Sequence, residues 1–214
     1  MQMRLTLKLI VYGIRVLQTY VVWSWRLSHL GKRTVLMRPL SCNNPKAVSI
    51  GRRVTLCSQF ILADLSPGSH SDGAAKIIIG DDCTILYRFQ CNAAVSVRIG
   101  DNVLIASNVF ITDSDHVLRP GGPPITRSNE LYSSPVVIEN NCWIGQNAVI
   151  LKGVVVGHDS IIGASSVVTH SVPPHSVVAG NPAKLINVMK DVDHDCGQKG
   201  CQIHSNGSSA DCRP

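Results

Sequence analysis

The chain of 214 residues carries a formal net charge of +6, and 44% of its residues are hydrophobic but only 5% are aromatic. This length predicts one domain with a short extension. The apolar residues are mostly Val, Ile, Leu and Ala, which favours a core built from many small, equivalent layers. A mild basic charge suits an anionic small molecule or a membrane surface. No zinc-finger or RNA-binding spacing accompanies it, so we expect no nucleic-acid partner.

The N-terminal segment mixes basic, aliphatic and aromatic residues over "MRLTLKLIVYGIRVLQTYVVWSWRLSHLGKR". Arg15 and Gln18 interrupt its apolar run, which falls short of the roughly 20 apolar residues that a membrane-spanning helix needs. No small-residue cleavage site follows a compact apolar core, so a secretory signal peptide is not indicated. We predict an amphipathic helix within residues 1–35 that caps the domain. Peripheral contact of residues 1–30 with a membrane is a second role, compatible with the first.

Residues 138–173 repeat every six positions as IENNCW, IGQNAV, ILKGVV, VGHDSI, IGASSV and VTHSVP. The first position is always Ile or Val, the fifth is small or β-branched, and Gly is frequent at the second. The same phase begins at earlier aliphatic residues: Ile50, Ile79, Ile99, Ile105 and Ile111. A period of six fits neither an amphipathic helix nor an alternating strand. It is typical of an all-β parallel β-helix, in which Gly and Asn supply the corner conformations, and we predict this domain over residues 36–188.

The eight cysteines do not predict a disulfide framework. Five stand singly in apolar, strand-like segments, as small buried residues of a reduced protein do: Cys42, Cys57, Cys83, Cys91 and Cys142. The others accompany two histidines near the C-terminus: His194, Cys196, Cys201, His204 and Cys212. Their spacing matches no standard ligand pattern, although a metal site there stays an alternative. We predict a flexible tail over residues 189–214 and no metal requirement.

The segment "PVVIENNCWIGQNAVILKGVVVGHDSIIGASSVVTHSVPPHSVVAGNPAKLI" resembles the C-terminal half of the hexapeptide-repeat O-acetyltransferases. This branch includes galactoside and maltose acetyltransferases and those of colanic acid and O-antigen assembly. The likeness runs from about Ile50 to Ile186 and is strongest from Ile99 onward. It implies a left-handed β-helix, a homotrimer with active sites between neighbouring subunits, and acetyl-CoA as the donor.

The hexads stop after Ile111 and resume at Ile138, and the interval contains RPGGPPITRSNE. We therefore predict a loop over residues 112–135 that leaves the β-helix, with His116 at its start. The resemblance matches His116 to the catalytic histidine of the family. Neutral imidazole suits removal of a hydroxyl proton near pH 7 as the hydroxyl attacks a thioester. Asp113 or Asp115 could orient the ring.

A second residue of this loop, Glu130 in "NELYSSPV", matches a family glutamate that lies near the acceptor. An ordinary loop carboxylate is the alternative for Glu130. The resemblance also maps CoA contacts onto Trp143, Gln146, Ala164, Thr169, His170 and Lys184. A straight β-helix edge offers a groove for the long pantetheine arm, and Lys184 offers a positive charge for its phosphate end.

Two of these CoA contacts have alternatives. His170 stands where the family commonly has Lys, and it is a weaker phosphate partner near pH 7. Trp143 either contacts the thioester end or packs between subunits. His158 and His175 are interpreted as ordinary corner residues.

These features together predict an acetyl-CoA-dependent O-acetyltransferase acting on a sugar hydroxyl, on a polysaccharide or glycan precursor. We expect it in the cytoplasm, with peripheral contact at the inner face of the membrane. The alternatives are an acyltransferase acting on an amino sugar or serine, and a non-catalytic structural β-helix subunit. A zinc carbonic anhydrase is disfavoured, because His116, His158 and His175 lack the spacing of its three ligands.

Overall fold

The computed structural model describes residues 2–66 and 75–189, with side chains from Ile10 onward. A helix, α1 (Gln2–Trp23), precedes a three-sided prism of stacked coils. Each coil forms one short strand on each side of the prism. The first three coils contain β1 (His29–Leu30), β2 (Val35–Leu36), β3 (Ser41–Cys42), β4 (Val48–Ile50), β5 (Thr55–Leu56), β6 (Ile61–Asp64), β7 (Ile77–Ile79), β8 (Thr84–Ile85) and β9 (Gln90–Ala93).

The next three coils are interrupted by a hairpin. The fourth coil contains β10 (Val97–Ile99), β11 (Leu104–Ile105) and β12 (Phe110–Thr112), and the hairpin consists of β13 (Ser114–His116) and β14 (Leu131–Ser133). The fifth and sixth coils contain β15 (Val136–Ile138), β16 (Trp143–Ile144), β17 (Val149–Ile150), β18 (Val155–Val156), β19 (Ile161–Ile162) and β20 (Val167–Val168). An antiparallel pair follows, β21 (Ser176–Gly180) and β22 (Ala183–Val188), and short 3-10 helices cover Pro45–Ala47 and Ile125–Arg127.

Three parallel sheets form the sides of the prism. We call them face A (β1, β4, β7, β10, β15, β18), face B (β2, β5, β8, β11, β16, β19, β21) and face C (β3, β6, β9, β12, β17, β20), and the antiparallel β22 extends face B. The chain runs from face A to face B to face C, so its corners form three edges, called A–B, B–C and C–A. Each strand hydrogen-bonds to strands of neighbouring coils, so the stacking satisfies the backbone groups.

The first-position residues of the hexads stack above one another inside the prism. Ile99 pairs in register with Ile79 and Ile138, and Ile138 pairs with Val156. All first-position residues of segment 138–173 are buried, and so are the fifth-position residues: Cys142, Ala148, Val154, Ser160, Ser166 and Val172. The predicted parallel β-helix is therefore confirmed. Burying one such aliphatic side chain contributes roughly 1.5–3 kcal/mol, so the stacked column is a major source of stability.

Gly153 adopts the predicted left-handed conformation at its corner (φ 74°), but the second-position glycines of the hexads have a different role. The left-handed backbone conformation falls two positions after the Gly, as at Asn102 (φ 57°) and Asn147 (φ 59°). Gly145 instead lies where the next coil passes closely, because a Cβ atom built there would be 2.6 Å from Ala164 N. Close approach of two backbones, rather than a positive φ, therefore excludes a side chain at Gly145.

The helix α1 lies against the first coil. Leu36 N donates a hydrogen bond to Thr19 Oγ1 at 3.0 Å, and the Tyr20 hydroxyl donates to Gly31 O at 2.7 Å. The Trp23 side chain is buried in the same hydrophobic cluster as the interior of the prism. These contacts join the helix to the N-terminal end of the β-helix.

The β-helix begins earlier than the sequence predicts. The helix α1 ends at Trp23 and the first coil starts at His29, so the predicted domain boundary at residue 36 is too late. The six-residue phase does extend through Leu30, Leu36 and Cys42. The intervening segments, GKRTV and MRPLS, contain basic residues and proline at the corners and therefore obscure the phase.

Most of the predicted tail lies outside the described residues. Only Met189 of residues 189–214 is described, so the flexibility and metal binding considered for this segment stay predictions.

The described cysteines are free thiols. Cys57, Cys83, Cys91 and Cys142 are buried and Cys42 is half-buried. Burial raises the pKa of the Cys42 thiol to about 11 and that of the Cys83 thiol to about 11. Such thiols are poor nucleophiles at neutral pH, so these residues act as small core side chains.

Replacing a stacked isoleucine tests the contribution of the column. Ile79 is 1% exposed inside the prism, whereas the preceding Ile78 is half-buried on the outer side of the same strand. Ile79→Ala should lower the free energy of unfolding by about 2–5 kcal/mol, because it leaves a cavity between coils. Ile78→Ala is the matched control and should cost clearly less. Urea denaturation followed by circular dichroism measures both variants, and equal losses would contradict the stacked core.

Candidate active site

The loop predicted between the fourth and fifth coils contains a regular hairpin. β13 and β14 pair antiparallel, with Ser114 opposite Ser133 and His116 opposite Leu131. The hairpin leaves the prism at the C–A edge, between Thr112 of β12 and Val136 of β15. Its strands pair with each other rather than with a coil, so the end of the hairpin is free of the stack.

The root of the hairpin is fixed by Asp113. Its side chain is fully buried, and its carboxylate accepts backbone hydrogen bonds from Ala94, Val95 and Ser96, each at 2.7 Å. On the other strand, Ser134 N donates to Asp113 O at 2.8 Å. A carboxylate that accepts three N–H groups is strongly held, so Asp113 anchors the hairpin to the preceding corner of the same edge.

A second attachment joins the hairpin to the following coil. Lys152, at the C–A edge of the fifth coil, forms an ion pair with Asp115, and its Nζ lies 5.2 Å from the centroid of the Tyr132 ring. Asp115 and Tyr132 are opposite each other in the hairpin, so Lys152 contacts both strands. The hypothesis that Asp113 or Asp115 orients His116 is therefore wrong. Asp113 is committed to backbone groups, and Asp115 faces the opposite side of its strand from His116.

His116 is the last residue of β13, and its side chain is exposed. Within residues 10–66 and 75–189, the imidazole has no hydrogen-bond or ion-pair partner. The backbone of His116 is held by its pairing with Leu131, whereas its side chain is open to solvent. The structure thus presents an accessible imidazole on an anchored backbone.

Glu130 precedes β14 and forms an ion pair with Arg119. The Arg119 Nη2 and Glu130 Oε2 atoms are 2.8 Å apart, and both side chains are exposed. Both residues line an open depression together with Val95, Val117 and Tyr132. Glu130 therefore lies on the hairpin that carries His116, but its charge is shared with Arg119, which the sequence analysis did not identify.

Several residues predicted to contact CoA lie along the B–C edge. Gln146 and Ala164 occupy equivalent corners of the fifth and sixth coils, and Ser165 N donates to Gln146 O at 2.7 Å. Lys184 lies in β22 opposite Ala179, beyond the same edge. The side chains of Gln146, Ala164 and Lys184 are all exposed. All three therefore lie at the surface near the C-terminal end of the prism.

The remaining predicted contacts lie elsewhere. Thr169 and His170 follow β20 at the C–A edge, one coil beyond Lys152, and Thr169 Oγ1 is hydrogen-bonded to His170 Nδ1 at 2.8 Å. Trp143 is 49% exposed on the outer side of face B, in register with Leu104 and Ile161. Apart from Trp143 on face B, the predicted site residues therefore lie along two edges that are separated by face C.

Comparison with known proteins identifies the family. A family model described as "Bacterial transferase hexapeptide (six repeats)" matches residues 135–170, and "Hexapeptide repeat of succinyl-transferase" matches residues 91–113. The putative acetyltransferase YJL218W of Saccharomyces cerevisiae is 36% identical over 154 residues, which are 70% of this chain and 74% of that protein. The chain belongs to the hexapeptide-repeat O-acetyltransferase family.

Two galactoside acetyltransferases are also similar to this chain. Galactoside O-acetyltransferase of Escherichia coli (strain K12) is 41% identical over 111 residues, 52% of this chain and 53% of that protein. A solved galactoside acetyltransferase in complex with coenzyme A is 32% identical, with a TM-score of 0.57 and coverage of 74% of this chain and 73% of that one. The predicted left-handed parallel β-helix is thus confirmed. The chain spans about half the length of the Escherichia coli relative.

Asp113→Asn should weaken the attachment of the hairpin to the prism. An amide offers one acceptor oxygen where three N–H groups converge, so we expect a loss of about 1–3 kcal/mol in the free energy of unfolding. The amide hydrogens of residues 94–96 should also exchange faster. Asp115→Asn is the control and should cost no more than about 1 kcal/mol, because its ion pair is exposed. Unchanged exchange at residues 94–96 in Asp113→Asn would contradict the anchoring role.

Proposed function

We propose that this chain transfers the acetyl group of acetyl-CoA to a sugar hydroxyl, with His116 as the general base. The proposal rests mainly on the accessible imidazole of His116, carried by a hairpin that Asp113 and Lys152 attach to the prism. It is supported by the similarity to galactoside O-acetyltransferase and to a galactoside acetyltransferase solved with coenzyme A. A polysaccharide or glycan precursor is the acceptor class that we infer.

The chemistry assigned to His116 is a proton transfer. Its neutral imidazole accepts the proton of the acceptor hydroxyl as the oxygen attacks the thioester carbonyl carbon. When the carbon–sulfur bond breaks, the imidazolium returns this proton to the departing sulfur. The acetyl group is already activated as a thioester, so no covalent enzyme intermediate is needed. Glu130 and Arg119 lie on the same hairpin, and we infer that they contact the acceptor.

The distribution of residues over two edges suggests how the site is completed. His116, Thr169 and His170 lie on the C–A edge, whereas Gln146 and Ala164 lie on the B–C edge. We infer a homotrimer in which the C–A edge of one subunit faces the B–C edge of its neighbour. The pantetheine arm then lies between subunits, and the exposed Trp143 is covered by the assembly.

His116→Ala should lower kcat by about 10²–10⁴-fold, which is the usual contribution of a positioned base. Acetyl-CoA affinity should change little, because none of the proposed contacts is altered. Lys184→Ala is the complementary variant and should raise the KM for acetyl-CoA with a smaller effect on kcat. The measurement is thiol release from acetyl-CoA with a panel of sugars, amino sugars and serine. Near wild-type kcat in His116→Ala, or a preference for amine acceptors, would contradict the proposal.

Mixed assemblies test the shared site. His116→Ala removes the base from one edge, and Ala164→Trp blocks the cofactor groove at the other, so each variant alone should be inactive. Coexpression of the two variants should restore part of the activity, because some sites then combine an intact His116 with an intact groove. Coexpression of His116→Ala with a chain carrying both substitutions is the control and should stay inactive. If the complete site lies within one chain, neither mixture regains activity.

The helix α1 suggests peripheral contact with a membrane, which we place at the cytoplasmic face. Among the described residues, no helix is both long enough and apolar enough to cross a membrane. Leu17 and Val21 are 65% and 67% exposed on α1. Three arginines line a groove between α1 and the first coil, and none has a carboxylate partner among the described side chains: Arg15, Arg26 and Arg38. Exposed apolar and basic side chains together favour an anionic lipid surface.

Vesicle sedimentation tests this contact. The full chain should sediment with vesicles that contain anionic phosphatidylserine, and less so at high salt, since screening weakens the attraction. Leu17→Glu should reduce vesicle binding, because it places a charge where the wild-type leucine would enter the apolar part of the lipid surface. Leu185→Glu alters a similarly exposed leucine on β22 and is the matched control, expected to bind as wild type. Equal binding of both variants would contradict a role for α1.

A further inference from the structure

Three metal-ligating side chains meet at the A–B edge near the C-terminal end of the prism. His158 Nδ1 lies 2.7 Å from Asp159 Oδ2, and the rings of His158 and His175 make a T-shaped contact with centroids 4.8 Å apart. One potential ligand atom from each of the three residues lies within 4.8 Å of the others. The hairpin with His116 leaves from a different edge. His158 and His175 do lie at corners, as the sequence predicts, and the structure brings their rings into contact.

The backbone that carries this cluster is fixed by the stacking of coils. His175 N donates to His158 O at 3.0 Å, and Asp159 N donates to Asn140 O at 3.1 Å. Asp159 and His175 both have a φ of 56°, the left-handed conformation of the corner. The three side chains therefore project from neighbouring corners of consecutive turns, and only their side-chain torsions remain to be set.

The charges around the cluster suit a cation. The Asn141 side-chain amide donates a hydrogen bond to Asp159 Oδ1, so this carboxylate is held at the corner beside the two imidazoles. A second carboxylate, Glu139, accepts a hydrogen bond from His158 N at 2.8 Å. Two imidazoles and one carboxylate form a donor set that zinc prefers.

We propose that His158, Asp159 and His175 bind one divalent transition-metal ion, for which Zn²⁺ is the fitting probe. With ligand bonds of about 2.0–2.2 Å, tetrahedral ligand atoms are roughly 3.3 Å apart. Side-chain rotation would therefore widen the 2.7 Å separation between His158 Nδ1 and Asp159 Oδ2 and shorten the separations of up to 4.8 Å within the cluster. In the bound form, His158 exchanges its hydrogen bond to Asp159 for a bond to the ion. The fourth position stays open to water.

The bound ion would join two parts of the fold. His158 and Asp159 precede β19 in the sixth coil, and His175 directly precedes β21. β21 pairs with β22, which carries Lys184. The ion therefore clamps the terminal antiparallel pair to the sixth coil and stabilises the end of the prism.

The proposal is tested by titrating the full chain with Zn²⁺ after removal of metal by a chelator. Isothermal titration calorimetry should show a binding event that disappears in His175→Asn and weakens at least tenfold in Asp159→Asn. Asn is chosen at position 175 because it tolerates a positive φ, and circular dichroism checks that both variants fold. His29→Asn alters an exposed histidine on the first coil and is the matched control, expected to bind as wild type.

Co²⁺ distinguishes this site from the C-terminal cysteines and histidines. Binding by His158, Asp159 and His175 should give visible d–d absorption without a thiolate charge-transfer band, and His175→Asn should abolish it. The proposal is overturned if wild type shows only a thiolate charge-transfer band and this band persists in His175→Asn. The metal would then be bound by cysteine ligands. Absence of Zn²⁺ binding, or equal binding by wild type and His175→Asn, would overturn it as well.

Discussion

The structure depends on a six-residue step between corners. Each step directs one aliphatic side chain into a narrow interior, where it stacks on its counterpart in the adjacent coil, as Ile79, Ile99 and Ile138 do. The same step aligns each strand with its neighbours, so one register sets both the packing and the backbone hydrogen bonds. The interior has no room for other chemistry. Functional side chains are therefore confined to the outer faces and to the three edges.

Confinement to edges explains the organisation of the candidate site. The hairpin leaves the C–A edge and so presents His116 outside the stack, while Asp113 and Lys152 attach it to the corners before and after it along that edge. The B–C edge is straight and carries Gln146 and Ala164 on successive coils, which suits an extended ligand arm. Face C separates the two edges, so the two halves of the proposed site lie apart within one chain. The proposed function therefore requires assembly of subunits.

The repeat was the part of the fold most open to prediction. Stacking imposes the same residue class at the same interval, so the period is visible in one sequence from Ile50 onward. The first coil escaped prediction because the interior accepts Leu30, Leu36 and Cys42 equally well, whereas basic residues and proline at its corners obscure the phase. The hand of the helix is not contained in the period and came from the family resemblance.

Prediction of the candidate site was uneven for a related reason. His116 was proposed because the repeat breaks beside it and the family resemblance matches it to a catalytic histidine, and the proposed CoA contacts came from the same resemblance. The roles of Asp113, Lys152 and Arg119 depend on contacts between residues that are distant in sequence, and no local pattern records them. The proximity of His158 and His175 had a usable signal. The two histidines lie about one coil apart in the sequence, so the repeat predicts that they lie next to each other at the same edge.

The central claim is that reacting groups from two edges meet only between subunits. A crystal structure of the full chain with CoA tests it most directly. The account predicts that the arm lies along Gln146 and Ala164 of one subunit and that its sulfur lies beside His116 of the adjacent subunit, within hydrogen-bond reach of the acceptor position. CoA bound within a single chain, or with its sulfur remote from every His116, would contradict the account.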